Sequence, residues 1–171
     1  GDVYKRQFLG WRMVAIAIAI DFFAVGFAFQ TYPVIQLYLE EELNLSRFVT
    51  TLTIPIFMIC SAVFFPIVGR LLDKYSVKKI IVWGGFIYSI SLISLYFTIN
   101  YFTFILIYGL PIALGATLMG NLATSKLVSS WFEKHAGRAL GFAAVGVSFA
   151  GFIFPNLTPV SYTHLTLPTK A

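Results

Sequence analysis

Phe48–Lys79 reads FVTTLTIPIFMICSAVFFPIVGRLLDKYSVKK. As far as Val68 it holds no charged residue, and beyond Gly69 it turns basic. A helix rising about 1.5 Å per residue needs about 20 apolar residues to cross a hydrocarbon layer about 30 Å thick. The run from Phe48 to Val68 is that long. A helix on the surface of a soluble domain would be apolar on one stripe and charged on the other. This one has no charged side to turn toward water. The rest of the chain repeats the pattern. Of 171 residues, 58% are hydrophobic and only 11% charged, and mean hydropathy is +0.84. Soluble domains carry about 25% charged residues.

Working outward from that run, hydropathy predicts spans at about 8–32, 48–68, 80–99, 102–125 and 139–157. Each is read as a helix, because a span in lipid must satisfy its own backbone hydrogen bonds. The connections alternate in charge. Glu40, Glu41 and Glu42 follow the first span, with Arg47 the one basic residue there. Arg70, Lys74, Lys78 and Lys79 follow the second, Asn100 and Tyr101 the third, and Lys126, Lys134 and Arg138 the fourth. With Arg12 near the start, eight of the nine basic residues between Phe8 and Pro159 fall on one side, Arg47 being the exception. Basic loops stay in the cytoplasm. The expectation is an integral protein of the cytoplasmic (inner or plasma) membrane, its N-terminus inside. Asn44 or Ser46 can cap the second span. Pro33, Pro55, Pro66, Pro111 and Pro155 lie in or near spans and would bend them.

The two ends fit this pattern poorly. Gly1–Gln7 (GDVYKRQ) and about Val160–Ala171 (VSYTHLTLPTKA) resemble translated sequencing-library adapter. Such segments are excluded from fold reasoning. Setting aside Lys5, Arg6, Lys170 and Asp2 lowers the net charge from +5. The high isoelectric point then argues topology rather than nucleic-acid binding. The transmembrane bundle is placed at 8–159, with later spans of the protein expected beyond it. Cys60, the single cysteine, is read as a packing residue.

The stretch PIVGRLLDKYSVKK, Pro66–Lys79, carries a family resemblance. It is similar to the loop signature of the major facilitator superfamily: a glycine, an apolar residue, an aspartate, then a basic cluster. Here those positions are Gly69, Leu71, Asp73, Lys74 and Lys78. The resemblance implies a loop latch, made of Gly69, Arg70, Asp73, Lys74 and Lys78, that holds one alternating-access state. Gly69 is expected at a close helix approach. Asp73 is expected to pair with a basic side chain. Ser76 stands where the family usually has glycine, and Val77 where it usually has a basic residue. A solvated positive-inside loop is the plainer alternative.

Ser129–Gly151, SSWFEKHAGRALGFAAVGVSFAG, and Leu43–Arg47, LNLSR, resemble the monocarboxylate-porter and oxalate–formate antiporter branch. The fourth span has no basic residue before Lys126, and the fifth lacks the glycine-proline signature of drug–proton antiporters. The resemblance therefore implies an all-α membrane protein, with five transmembrane helices of the N-terminal six-helix half of a major facilitator fold. Its activity would be secondary transport of a small organic anion. Other solutes (sugar, peptide or drug) remain open. The expected partners are the lipid bilayer, a small-molecule solute, protons as a candidate coupling ion, and the C-terminal half of the same protein. No cofactor, metal or nucleic acid is called for. Neither HExxH, nor paired intramembrane aspartates, nor a nucleophile with a histidine partner supports an intramembrane enzyme.

Candidate substrate or coupling residues are Asp21, Tyr32, Thr117 and Asn121. Asp21 stands in the middle of the first span, where a carboxylate is costly and faces a protein interior or a wet cavity. At 100° per residue, Ala17, Ala28 and Tyr32 share its face, and Gln30 lies opposite. Thr117, Asn121, Thr124 and Ser125 form a polar stripe on the fourth span. The family resemblance places the first and fourth spans around a central cavity. A structural hydrogen bond for Asp21, and interhelical contact for the stripe, are the alternatives. Gly141, Ala144 and Ser148 are expected to form a packing face on the fifth span. Ser89, Ser91 and Ser94 on the third are weaker candidates, and His135 is read as solvated. An organic anion needs a positive partner, and no arginine or lysine lies deep in a span.

Overall fold

The computed structural model describes residues 2–165 except 31, 99 and 133–134; side chains are described for most of residues 10–154. Among the described residues the chain is helical throughout, without a strand. Helix α1 (Asp2–Val25) continues through a π-helical segment, Gly26–Gln30. Then come α2 (Tyr32–Glu42), α3 (Arg47–Thr51), α4 (Thr53–Lys74) and α5 (Val77–Ser94). The chain goes on with α6 (Tyr101–Ile107), a second π-helical segment (Tyr108–Ile112), α7 (Ala113–Met119), α8 (Asn121–Ser129) and α9 (Ala136–Leu165).

Five stretches are long and apolar enough to cross a membrane: Gly10–Phe29, Arg47–Lys74, Val77–Phe97, Tyr101–Ser129 and Ala136–Phe154. Their outward faces carry large apolar side chains, among them Trp83, Ile93, Phe102 and Phe152, each more than 60% exposed. In water such a surface would drive aggregation; lipid tails are its matching solvent. The chain is an integral membrane protein.

Local chemistry sets the breaks. Asn44 takes φ 48°, a left-handed conformation that asparagine tolerates. Ser46 then holds the extended N-cap position of α3, but its hydroxyl makes no capping bond, and neither candidate caps through its side chain. Ser76 does cap α5, accepting from the Lys79 backbone N–H at 3.4 Å. This serine thus starts the third span. Pro55 sits in the first turn of α4, where its missing donor costs little. Pro66 lies inside α4, and Pro111 inside the second π-helical segment.

The third and fourth spans pack backbone to backbone. A Cβ at Gly115 would lie 2.8 Å from the Tyr88 nitrogen, and one at Gly84 would lie 2.6 Å from Leu118 Cβ. The first and fifth spans meet as closely, since a Cβ at Gly146 would stand 2.4 Å from the Ile18 carbonyl oxygen. The buried face of α9 is therefore Ala139, Ala143, Gly146 and Ala150. This corrects the face expected from the sequence: Gly141, Ala144 and Ser148 are exposed. Two stripes of small residues share this helix, and composition alone does not say which one meets a neighbour.

Candidate functional site

Asp21 is 2% exposed and lies between the first and fourth spans. Ala17, Ala28 and Tyr32, the face expected from helical spacing, are buried as well, and so is Ala24. Alanines on that face let α1 lie close against α8, with Val14, Ala17 and Val128 in one apolar cluster. The approach brings together two residues 103 positions apart. Thr124 Oγ1 donates to the Asp21 carboxylate, 3.0 Å from Oδ1 and 2.9 Å from Oδ2. The hydroxyl has one proton to share between them. Among the described residues no cation pairs with Asp21. Among the described residues the Thr124 hydroxyl is the side-chain donor that this buried carboxylate has.

Beside this pair lies a cavity of about 290 Å³ between the first, second and fourth spans. Ala24, Ala28 and Phe29 come from the first span, Phe57, Met58, Ser61 and Phe65 from the second, and Thr117, Gly120 and Asn121 from the fourth. Gly120 separates α7 from α8 at φ −80° and ψ −156°, and a Cβ there would stand 2.5 Å from the Ala116 carbonyl oxygen. Glycine thus permits the bend that turns Asn121 toward the cavity while Thr124 reaches Asp21.

The structure brings Thr117 and Asn121 to one wall but commits much of their polarity. Thr117 Oγ1 donates to the Ala113 carbonyl at 2.6 Å, and Asn121 Oδ1 accepts from Ser125 Oγ at 2.9 Å. Asp21 does not line the cavity, and neither does Tyr32. The Tyr32 hydroxyl donates to the Thr50 carbonyl, and its ring packs 5.4 Å from that of Tyr108. Tyr32 fastens the end of the first span to the second. The side chain of Gln30 lies outside the described residues. Ser89, Ser91 and Ser94 return their hydroxyls to carbonyls of their own helix, and His135 is exposed.

One residue escaped the sequence reading and another was read only in part. Ser61 looks like one more small residue in an apolar run. Thr124 was seen only as part of a stripe, because pairing with Asp21 depends on a helix crossing that no spacing rule supplies.

At the end of the second span, Asp73 pairs with Lys126 of the fourth, Nζ to Oδ1 2.5 Å. Lys126 Nζ also donates to the Leu72 carbonyl at 2.8 Å. Lys126 was legible as the first basic residue on the fourth span, though not as this partner. Lys74 lies 5.6 Å over the Tyr75 ring. Arg70 and Lys78 are exposed. Gly69 requires a correction. A Cβ there would meet nothing within 4 Å, so among the described residues it stands at no close helix approach.

The family profile of the Major Facilitator Superfamily matches residues 9–168. The chain is 29% identical over 124 residues to an uncharacterized MFS-type transporter, YcxA, of Bacillus subtilis, covering 72% of this chain and 29% of that protein. It is 33% identical over 90 residues to a fujikurins efflux protein of Gibberella fujikuroi, covering 53% and 19%. It is 27% identical over 154 residues to monocarboxylate transporter 9 of Gallus gallus, covering 86% and 29%. The chain thus spans less than a third of the length of each of these relatives. No solved structure matches.

Proposed function

Because the chain belongs to the major facilitator superfamily, we propose that the protein containing it is a secondary transporter that moves a small organic anion by alternating access. The carrying observation is the buried Asp21–Thr124 pair beside a cavity walled by the first, second and fourth spans. A mid-membrane carboxylate without a cation is suited to bind a proton on one side of a cycle and release it on the other. The monocarboxylate transporter among its relatives, and the Ser129–Gly151 resemblance, support an anion as solute. The relative named as an efflux protein supports a second reading, export of another solute such as a drug. In this proposal the N-terminus is cytoplasmic, Gly69, Arg70, Asp73, Lys74 and Lys78 form the latch together with Lys126, and residues 1–7 are foreign to the bundle. The 171 residues alone do not transport, because the cavity needs walls from the rest of the protein.

Proteoliposomes holding the full-length protein separate the two readings. Counterflow of oxalate, formate or lactate supports the anion; counterflow of a lipophilic cation with none of the acids supports export. Asp21→Asn should abolish uptake driven by a proton gradient while sparing counterflow. Gradient-driven uptake at the wild-type level would remove Asp21 from coupling.

A further inference from the structure

A serine inside a transmembrane helix normally returns its hydroxyl to a carbonyl three or four residues back. Ser89 and Ser91 of the third span do so, as do Ser129 and Ser130 at the end of the fourth and Thr117 in the cavity wall. Ser125 does not. Instead of the Asn121 carbonyl one turn back, its Oγ donates to the Asn121 side-chain Oδ1, at 2.9 Å. That bond sets the amide one way round. With Oδ1 turned to Ser125, Nδ2 is turned away from it, and its two N–H donors meet no acceptor among the described residues. Asn121 is exposed and lines the cavity. Thr117 and Gly120, before it in the chain, line the cavity too, whereas Ser125, one turn after it, does not. The free end of the amide therefore lies on the cavity side.

The rest of the wall offers little else that is polar. Phe29, Phe57 and Phe65 make it largely apolar, and no charged side chain lines it. The Thr117 proton is committed to the Ala113 carbonyl, and Ser61 Oγ, though unpaired, has no accessible surface. The Asn121 amide is then the accessible, uncommitted donor among the lining side chains. A carboxylate accepts hydrogen bonds and cannot donate them. It matches an amide that presents N–H, and an amide presenting its oxygen would repel it.

We propose that Asn121 Nδ2 donates to a carboxylate oxygen of the transported solute, and that Ser125 is a positioning residue, holding the amide with its donors toward the cavity. The neutral amide orients the carboxylate rather than neutralising it, while any apolar part of the solute rests on Phe29, Phe57 and Phe65. This deepens the organic-anion reading and rests on it.

The test is the concentration dependence of uptake of lactate, oxalate and formate into proteoliposomes of the full-length protein. Asn121→Ala should raise KM about tenfold or more, the loss of a hydrogen bond to a charged group. Ser125→Ala should raise it about two- to tenfold, the loss of one neutral hydrogen bond, with the maximal rate unchanged. Ser125→Thr, which keeps the oxygen, should retain the wild-type value. In the Asn121→Ala background, Ser125→Ala should change nothing further, since no amide is left to hold. If Asn121→Ala fails to fold, Asn121→Asp, of the same shape without the donors, reads the same KM. An unchanged KM in Asn121→Ala or Asn121→Asp overturns the contact and leaves organic-anion transport standing. A Ser125→Ala effect of the same size in both backgrounds marks a structural role and overturns the positioning. Uptake of none of the acids, with transport of a lipophilic cation, overturns the inference and the anion reading together.

Discussion

Removing the Thr124 hydroxyl probes the pairing at the centre of the bundle. Thr124→Val keeps the shape and deletes the donor that lies 2.9–3.0 Å from both oxygens of Asp21. Among the described residues the carboxylate has no other side-chain donor, so the variant leaves a buried charge unsatisfied. A hydrogen bond to a charged group contributes about 1.5–3 kcal/mol, and one between neutral groups about 0.5–1.5 kcal/mol. In the Asp21→Asn background the acceptor is neutral, and the same threonine deletion should cost the smaller amount. The double-mutant cycle should therefore give a coupling of about 1 kcal/mol. For a chain of this size that is a difference of about 2–4 °C in melting temperature. The assay is thermal unfolding of the purified protein in detergent micelles, in alkaline buffer, for the wild type, both single variants and the double. Asp21→Asn alone should not lower the melting temperature, because it removes the cost of burying a charge. If Thr124→Val destabilises the asparagine background as much as the wild type, the two side chains do not interact as described.

Other substitutions test the packing and the loop. Gly146→Leu should destabilise by about 1–3 kcal/mol through overpacking against the Ile18 carbonyl, while Gly141→Leu, on the exposed face, should fall within about 0.5 kcal/mol of wild type by the same melt. Lys126→Gln should cost no more than about 1 kcal/mol, because Asp73 is 79% exposed and an exposed ion pair contributes little; a larger loss on thermal unfolding would show that the tie carries the fold. Tyr108→Phe, which removes the hydroxyl donated to the Ala28 carbonyl within the π-helical segment Gly26–Gln30, should cost about 1 kcal/mol and speed amide exchange there, read by hydrogen–deuterium exchange.

Long uncharged runs made the membrane class and the number of spans legible, because lipid imposes length and hydropathy on every segment at once. Phe48–Val68 alone carried most of that inference. Individual contacts were harder to read. Asp21 stood out because a carboxylate in an apolar run is costly and must face a protein interior or a wet cavity. Ser61 and Thr124 did not, because small polar residues occur in spans for packing, capping and binding alike. The packing face of the fifth span was misread for a similar reason. Both Gly141/Ala144/Ser148 and Ala139/Ala143/Gly146/Ala150 have helical spacing, and only the crossing with the first span distinguishes them. Gly69 was assigned to a close approach by resemblance, which carries a motif's position but not its neighbours in this chain.

Site-directed labelling tests the arrangement most directly. Single cysteines replacing Glu41 and Lys78, in a background without native cysteines, are exposed to a membrane-impermeant thiol reagent in intact cells and then in inside-out vesicles. Helices crossing a bilayer in alternating directions put residues 41 and 78 on opposite faces, and the proposed cytoplasmic N-terminus predicts labelling of residue 41 in intact cells and of residue 78 only in inverted vesicles. Equal labelling of both positions in intact cells, with neither gaining in inverted vesicles, would contradict the spans themselves.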